Sequence, residues 1–304
     1  MVRLSDSYYV MVHWRHERST RWVESAVGVN VASCEFLVGG MSSEMRRFRL
    51  ADGSAIVVRH ITDSAWLKQD PDLIRREARA LELLADSTVP TPKLIESNPE
   101  EGLLAMSSLP GTIRHTAAEL RASTDALADL AAVVAGFDLP DDHGLPAWSS
   151  WAPTHTTPPN WGDRGLWHEC LAAYHASKPP QPNKPVLLHR DYHPLNVLWA
   201  GPSVVGLVDW VNACVGHPHA ELAHCRWNLS VLVGVGAADS FLERYLTVTG
   251  SGPYDSWWDL ATVVGLLPGQ IGTSGWNQVG RVDLTSEAAT STTETYLRSI
   301  LNTP

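Results

Sequence analysis

The sequence predicts an α+β chain in two lobes. Residues 1–108 form an antiparallel-sheet lobe with one key helix, and residues 109–304 form a mostly helical lobe. Three observations predict this. Residues 30–108 hold β-prone runs around a single helical stretch; from about residue 115 onward apolar residues recur at helical spacing; and 304 residues, at about 150 per domain, make roughly two domains.

The N-terminal lobe is the more regular. Residues 1–20 show no clean period and are expected to be a loose arm. Gly39-Gly40-Met41-Ser42-Ser43 makes a small-residue turn. Glu44 to Leu50 and Ala55 to Ile61 flank Asp52-Gly53, and an Asp-Gly pair between two β-prone runs signals a hairpin. A helix then starts with Asp70 as cap and Pro71 at its first position, carrying the stripe Ile74, Leu81, Leu84. Glu77 falls on that stripe, and a carboxylate on an inward face needs a partner. Pro90 and Pro92 close the segment, and Gly102 to Met106 reads as a further strand.

The second lobe opens with a helix over residues 125–137. Residues 139–163 form a long loop holding Trp148, Trp151 and Trp161; a loop of that length in a compact domain is usually functional or disordered. A helix over 164–177 and short strands at Val186–Leu188 and Val204–Val208 follow, then helices near 218–233, 237–248, 255–266 and 286–301. Pro218 suits a helix start and Gly250 a helix end.

Composition narrows the classes. Hydrophobic residues make up 44% of the chain and charged ones 18%, which excludes global disorder. A formal net charge of -10 disfavours general nucleic-acid binding, which needs clustered Lys and Arg. No apolar run approaches the length of a membrane span, and the first residues resemble no signal peptide. Cys34, Cys170, Cys214 and Cys225 form no Cys-x-x-Cys pair and read as buried thiols of a cytoplasmic protein. Thirteen Trp against 4 Phe and 7 Tyr invert the usual order, and indoles suit both cores and ligand surfaces.

The segment that carries chemistry is Leu188-His189-Arg190-Asp191-Tyr192-His193-Pro194-Leu195-Asn196, followed by Val208-Asp209-Trp210. Asp191 follows a buried-type strand, Asn196 precedes Val197-Leu198, and Asp209 ends another apolar strand. A strand–turn–strand unit would bring Asn196 and Asp209 to one end. An amide oxygen and a carboxylate suit Mg²⁺, a hard ion that takes oxygen ligands and keeps waters. Asp191, unpaired in the same loop, would accept a proton from a hydroxyl.

This pattern resembles the aminoglycoside phosphotransferase family, bacterial relatives of the protein kinases, over roughly residues 22–300. The resemblance implies a bilobal protein-kinase-like fold and Mg²⁺-dependent transfer of the γ-phosphate of ATP or GTP to a small-molecule hydroxyl. The acceptor would be an antibiotic, such as an aminoglycoside or macrolide, or a sugar or amino-alcohol metabolite. It implies Asp191 as catalytic base and Asn196 and Asp209 as metal ligands. Ser42 and Ser43 would belong to the nucleotide-positioning loop. Arg59 stands where the phosphate-gripping lysine is expected, paired to Glu77, and Arg keeps a bidentate fork. Met106, Ser107 and Leu109 would form the hinge that bonds adenine, His189 would brace the catalytic loop, and Glu221 stands where the family has Asp, again as a brace. Trp148, Trp151, Trp161 and Asp255 are acceptor-site candidates; Trp199, Trp210, Trp227 and Trp258 read as core.

Two other readings stand beside it. One is a nucleotide-binding pseudo-kinase that has lost transfer. The other is a zinc enzyme using His189 and His193 with His217, His219 and His224, although Pro194 argues against one helix presenting the first two rings.

Overall fold

The computed structural model describes residues 19–37, 43–151, 154–182, 184–267 and 271–302. The chain divides into two compact units, one of residues up to Ala78 with Pro92–Ser108, the other of Arg79–Thr91 with everything from Leu109 onward.

The first unit is an antiparallel five-stranded sheet in the order β1-β2-β3-β5-β4, from β1 (Val31–Leu37), β2 (Ser43–Leu50), β3 (Ala55–Ile61), β4 (Leu94–Asn98) and β5 (Leu103–Ser107). The Asp52-Gly53 hairpin forms with Arg49 opposite Ala55, and Gly53 takes the left-handed backbone at φ 88° that the turn requires. Phe48, Leu50, Ile56, Val58, Leu103 and Ala105 point to one buried face.

Three elements depart from expectation. Residues 19–27 form a helix, α1, which takes in the last two residues of the expected loose arm, the rest of which lies outside the described residues; Val23 of α1 is fully buried in the sheet's core. β1 alternates poorly because as an edge strand it is largely exposed, and its Phe36 lies under the Arg46 guanidinium at 4.3 Å rather than in the core. The helix after the hairpin is split into α2 (Ser64–Gln69) and α3 (Leu73–Leu84), with Asp70 spent on the Asp72 N–H and the Arg76 guanidinium. The inward stripe Ile74, Glu77, Leu81, Leu84 is buried as its spacing requires.

In the second unit, α4 (Ala117–Arg121), α5 (Thr124–Ala135), α6 (Arg164–Ala176), α7 (Pro218–Val233), α8 (Val235–Thr249), α9 (Trp257–Gly265), α10 (Ser274–Gln278) and α11 (Ser286–Leu301) surround two small antiparallel pairs. β6 (Val186–Leu188) pairs β9 (Cys214–Gly216), and β7 (Val197–Ala200) pairs β8 (Ser203–Leu207). Residues 79–91 belong here because Arg79 donates to the His143 and Asp142 carbonyls at 2.8 and 3.1 Å, and the Leu207 N–H donates to the Pro90 carbonyl at 2.6 Å. α7 is buried on nearly every side, which explains its lack of a polar face. Its Arg226 bonds Asp259 of α9 at 2.9 Å, and Tyr296 of α11 donates to the same carboxylate at 2.6 Å, so three helices share one satisfied buried charge. Trp199, Trp210, Trp227 and Trp258 are buried. No helix of the described residues is long and apolar enough to cross a membrane.

Candidate active site

β7 and β8 register with Val197 opposite Leu207, so the hairpin brings the residues just outside it, Asn196 and Val208, together. The Val208 N–H donates to the Asn196 carbonyl at 2.9 Å. Asp209 therefore leaves the hairpin beside Asn196, with its backbone left-handed at φ 73°. Among the described residues the other non-glycine residue with positive φ is Arg190, at 68°. Left-handed backbone at non-glycine residues costs on the order of 1 kcal/mol or more each and persists where surroundings dictate it.

Those surroundings are visible. The Glu221 carboxylate on α7 accepts the His189 N–H at 2.6 Å and the Arg190 N–H at 2.8 Å. Glu221 is 4% exposed; burial pushes its carboxyl above the usual range, while the two N–H donors pull it down. His189 is fully buried and its Nε2 lies 2.8 Å from the Val208 carbonyl, tying the loop to the segment that delivers Asp209. Burial holds that imidazole down near a pKa of about 4, against the pull of Asp191, so Nε2 donates as neutral N–H. Tyr192 turns inward, its hydroxyl donating to the Leu127 carbonyl at 2.6 Å.

Asp191 is left facing outward, its side chain 29% exposed. It is not unpaired, as the sequence suggested. His224 Nε2 lies 3.1 Å from Oδ1 and His193 Nε2 lies 3.6 Å from it. Partial burial raises the carboxyl, and the imidazoles of His193, His224 and His189 outweigh it, so Asp191 is held well below the usual carboxylate range. His193 Nδ1 accepts the Leu195 N–H at 3.2 Å, which leaves its Nε2 toward Asp191. His224 was not expected in this role. The signal was its spacing: it follows Glu221 by three residues on one helix, so a helix that turns Glu221 to the loop turns His224 there too.

Asn196 Nδ2 donates to the Asp191 carbonyl at 2.9 Å. With its nitrogen engaged, the amide presents its oxygen, and an amide oxygen together with a carboxylate such as that of Asp209, the residue after Val208, is the kind of donor set a hard divalent cation takes. The zinc reading fails: among the described residues no group of three or more His, Cys, Asp or Glu side chains is arranged to hold a metal ion. The histidines have other partners. His217 Nδ1 accepts the His219 N–H at 3.1 Å, His219 Nδ1 accepts the Asp255 N–H at 3.3 Å, and His224 faces Asp191.

In the first unit Arg59 and Glu77 are paired and buried, 4% and 1% exposed, with Nε 2.8 Å from Glu77 Oε2. The same guanidinium donates to the Ser43 hydroxyl at 3.2 Å, so its fork is engaged within the unit. Ser42 lies outside the described residues. Met106 is buried in β5. The Ser107 N–H donates to the Lys93 carbonyl at 2.8 Å, so what Ser107 can offer an adenine edge is its carbonyl. In the second unit Leu109 packs its side chain toward Gly206 of β8, where an added Cβ would lie 2.6 Å from Leu109 Cδ1.

The tryptophan trio separates. Trp148 lies edge-on to Trp258 at 4.9 Å between ring centroids, and Trp151 edge-on to His224 at 5.9 Å; both line a cleft with Arg190 and His224. Trp161 instead packs edge-on against Trp167 of α6 at 5.0 Å and is not among the residues that line that cleft. Asp255 accepts the Trp257 N–H at 2.9 Å at the start of α9 and is not among the residues that line that cleft or the larger cavity beside it.

A family model described as the phosphotransferase enzyme family matches residues 33–257. No curated protein matches the chain. Among solved structures, a thermostable mutant of the aminoglycoside phosphotransferase APH(4)-Ia in ternary complex with ADP and hygromycin B is 16% identical, covers 92% of this chain and 98% of its own, and superposes with a TM-score of 0.64. The apoenzyme of macrolide 2'-phosphotransferase MphH from Brachybacterium faecium is 18% identical over 93% of this chain and 97% of its own, with a TM-score of 0.56. An aminoglycoside-3'-phosphotransferase of type VIII is 19% identical over 76% and 92%, with a TM-score of 0.54. At these identities the likeness is one of fold.

Proposed function

The chain belongs to the phosphotransferase enzyme family, and from that premise we propose that it moves the γ-phosphoryl group of ATP or GTP to a hydroxyl of a small molecule, with Asp191 as base and Asn196 and Asp209 as Mg²⁺ ligands. The observation that supports the assignment is the hydrogen-bonded unit Asp191 carbonyl–Asn196 amide, Asn196 carbonyl–Val208 N–H, which ties the segment of Asp191 and Asn196 to the one that leads into Asp209.

In this reading Asp191 accepts a hydrogen bond from the acceptor's hydroxyl and receives its proton as the new P–O bond forms and the bond from the γ-phosphorus to the bridging oxygen breaks, so that nucleoside diphosphate leaves. A carboxylate held ionised by two imidazoles is a weak base at neutral pH. That suits a loose phosphoryl-transfer transition state, in which the hydroxyl loses its proton late and positioning matters more than basicity. When bound, Mg²⁺ would neutralise charge on the phosphate oxygens. Arg59, oriented by Glu77, would exchange its Ser43 contact for a phosphate oxygen. The Ser107 carbonyl, with Leu109, would meet the base; Met106 packs beneath as core. His189 and Glu221 act through the backbone they hold. The presence of Asp191, Asn196 and Asp209 together weighs against a pseudo-kinase.

Two variants test this. Asp191→Asn should lower transfer by about 10²–10⁴-fold, the range of general-base contributions, while calorimetric nucleotide binding stays within about twofold. Asp209→Ala should remove the Mg²⁺ dependence of nucleotide binding, read in the absence of turnover. Unchanged transfer in the first variant, or unchanged metal dependence in the second, refutes the corresponding role.

A further inference from the structure

The cleft beside Asp191 has a chemistry of its own. Trp148, Trp151 and Trp258 supply three indoles to it, and the charged or titratable side chains lining it are Arg190 and His224. Among the described residues no Asp or Glu lines it. A cavity of about 720 Å³ adjoins it across Trp148, Ser150 and Trp258, and no Asp or Glu lines that one either; its polar residues include Lys178, His143, His175 and His217. Asp and Glu number 33 of 304 residues, about one in nine, so two neighbouring cavities without one run against the composition of an acidic chain. The larger cavity's size is within the range of small-molecule sites, about 300–1,000 Å³, whereas the cleft itself encloses only about 20 Å³, room for little more than a water.

Trp151 is the telling residue. It is 51% exposed, although most of the other indoles are buried. It is also held in place: the Arg190 guanidinium lies 4.5 Å from its ring centroid, and Arg190 Nη2 donates to the Ser149 carbonyl. An open, oriented indole beside the catalytic carboxylate is a stacking platform for a flat ring. It is a poor one for a cation, because the guanidinium already uses the ring's negative quadrupole and would repel a second positive charge at close range.

Resting on the phosphotransferase reading, we infer that the acceptor is a hydroxylated ring compound without net positive charge, a neutral or anionic glycoside-like or aryl molecule, stacked on the exposed indole of Trp151 at the mouth of the cleft that it forms with Trp148, Arg190 and His224. Polycationic acceptors are disfavoured on the same ground: they require carboxylates where this chain has indoles, a guanidinium and an imidazole.

Calorimetry with the full chain tests this, using three probes: 4-nitrophenyl β-D-glucoside (neutral), 4-nitrophenyl β-D-glucuronide (anionic) and the polycation kanamycin. Trp151→Ala serves as the site variant, since an exposed side chain can be removed with the fold checked by circular dichroism. At least one aryl glycoside should bind more tightly than kanamycin, and Trp151→Ala should weaken it at least tenfold while nucleotide affinity stays unchanged. Tighter binding of kanamycin, failure of both aryl glycosides to bind, or equal binding by Trp151→Ala overturns the inference. Nucleoside diphosphate release is measured separately. Trp151-dependent binding without any release would count against phosphoryl transfer and leave the cleft's preference standing; release with kanamycin alone would do the reverse.

Discussion

Removing the carboxylate of Glu221 should loosen the catalytic loop and the fold together. In Glu221→Ala the His189 and Arg190 N–H groups, which donate to it at 2.6 and 2.8 Å, lose their acceptor at a site where the side chain is 4% exposed. Each buried donor left unsatisfied costs about 1–3 kcal/mol, so the pair costs about 2–6 kcal/mol. Relief from burying a charge offsets part of this, which places the expected loss near about 3 kcal/mol. Glu221→Gln keeps one acceptor oxygen but sets an amide nitrogen against the other N–H, and should fall between the two. Urea unfolding followed by tryptophan fluorescence measures the loss. Activity adds a second readout: Arg190, whose N–H this carboxylate holds, is the loop's left-handed position, so transfer should fall in the order wild type, Gln, Ala, with nucleotide affinity nearly constant. A loss under about 1 kcal/mol in the alanine variant, or full activity in it, would refute the view that this carboxylate holds the loop.

Two other outcomes are expected. Arg59→Ala strands Glu77, 1% exposed, without its cation, and should destabilise the chain by about 3–5 kcal/mol; a thermal melt indistinguishable from wild type would show the pair to be dispensable. His219 is buried and its pKa is pushed down to about 4 by burial and by His217, against Asp255. With a folded pKa below the unfolded value of about 6.5, its contribution is fully present above pH 6.5 and is lost as pH falls toward 4, about 2 kcal/mol by pH 5. His219→Gln, which keeps an acceptor for the Asp255 N–H, should shrink the difference in urea stability between pH 7 and pH 5 by that amount, and an identical difference would reject the assignment.

What could be read beforehand was whatever local chemistry enforces. The Asp52-Gly53 hairpin, the Ile74–Glu77–Leu81–Leu84 stripe and the cap positions of Pro218 and Gly250 depend on φ preferences and on periods of two or 3.6, which are properties of neighbours along the chain. The edge strand β1 and the helix over 19–27 were not legible, because an exposed edge carries no alternation and a single helical turn of apolar residues gives too little signal.

The candidate site divides in the same way. By itself the sequence singled out the residues proposed to bear the chemistry, since a carboxylate, an amide and a second carboxylate in a loop–strand–strand segment have few arrangements open to them. Only the tertiary structure decided what surrounds them: that α7 turns both Glu221 and His224 to the loop, that Asp191 is paired with imidazoles, that Arg59 spends its fork on Glu77 and Ser43, and that Trp151 stays open while Trp161 is packed away. The polar contacts among these join residues 16 to more than 30 positions apart, as Ser43 to Arg59 and Glu221 to His189 do. Partners so far apart meet only when packed elements bring them together, and no local preference encodes that.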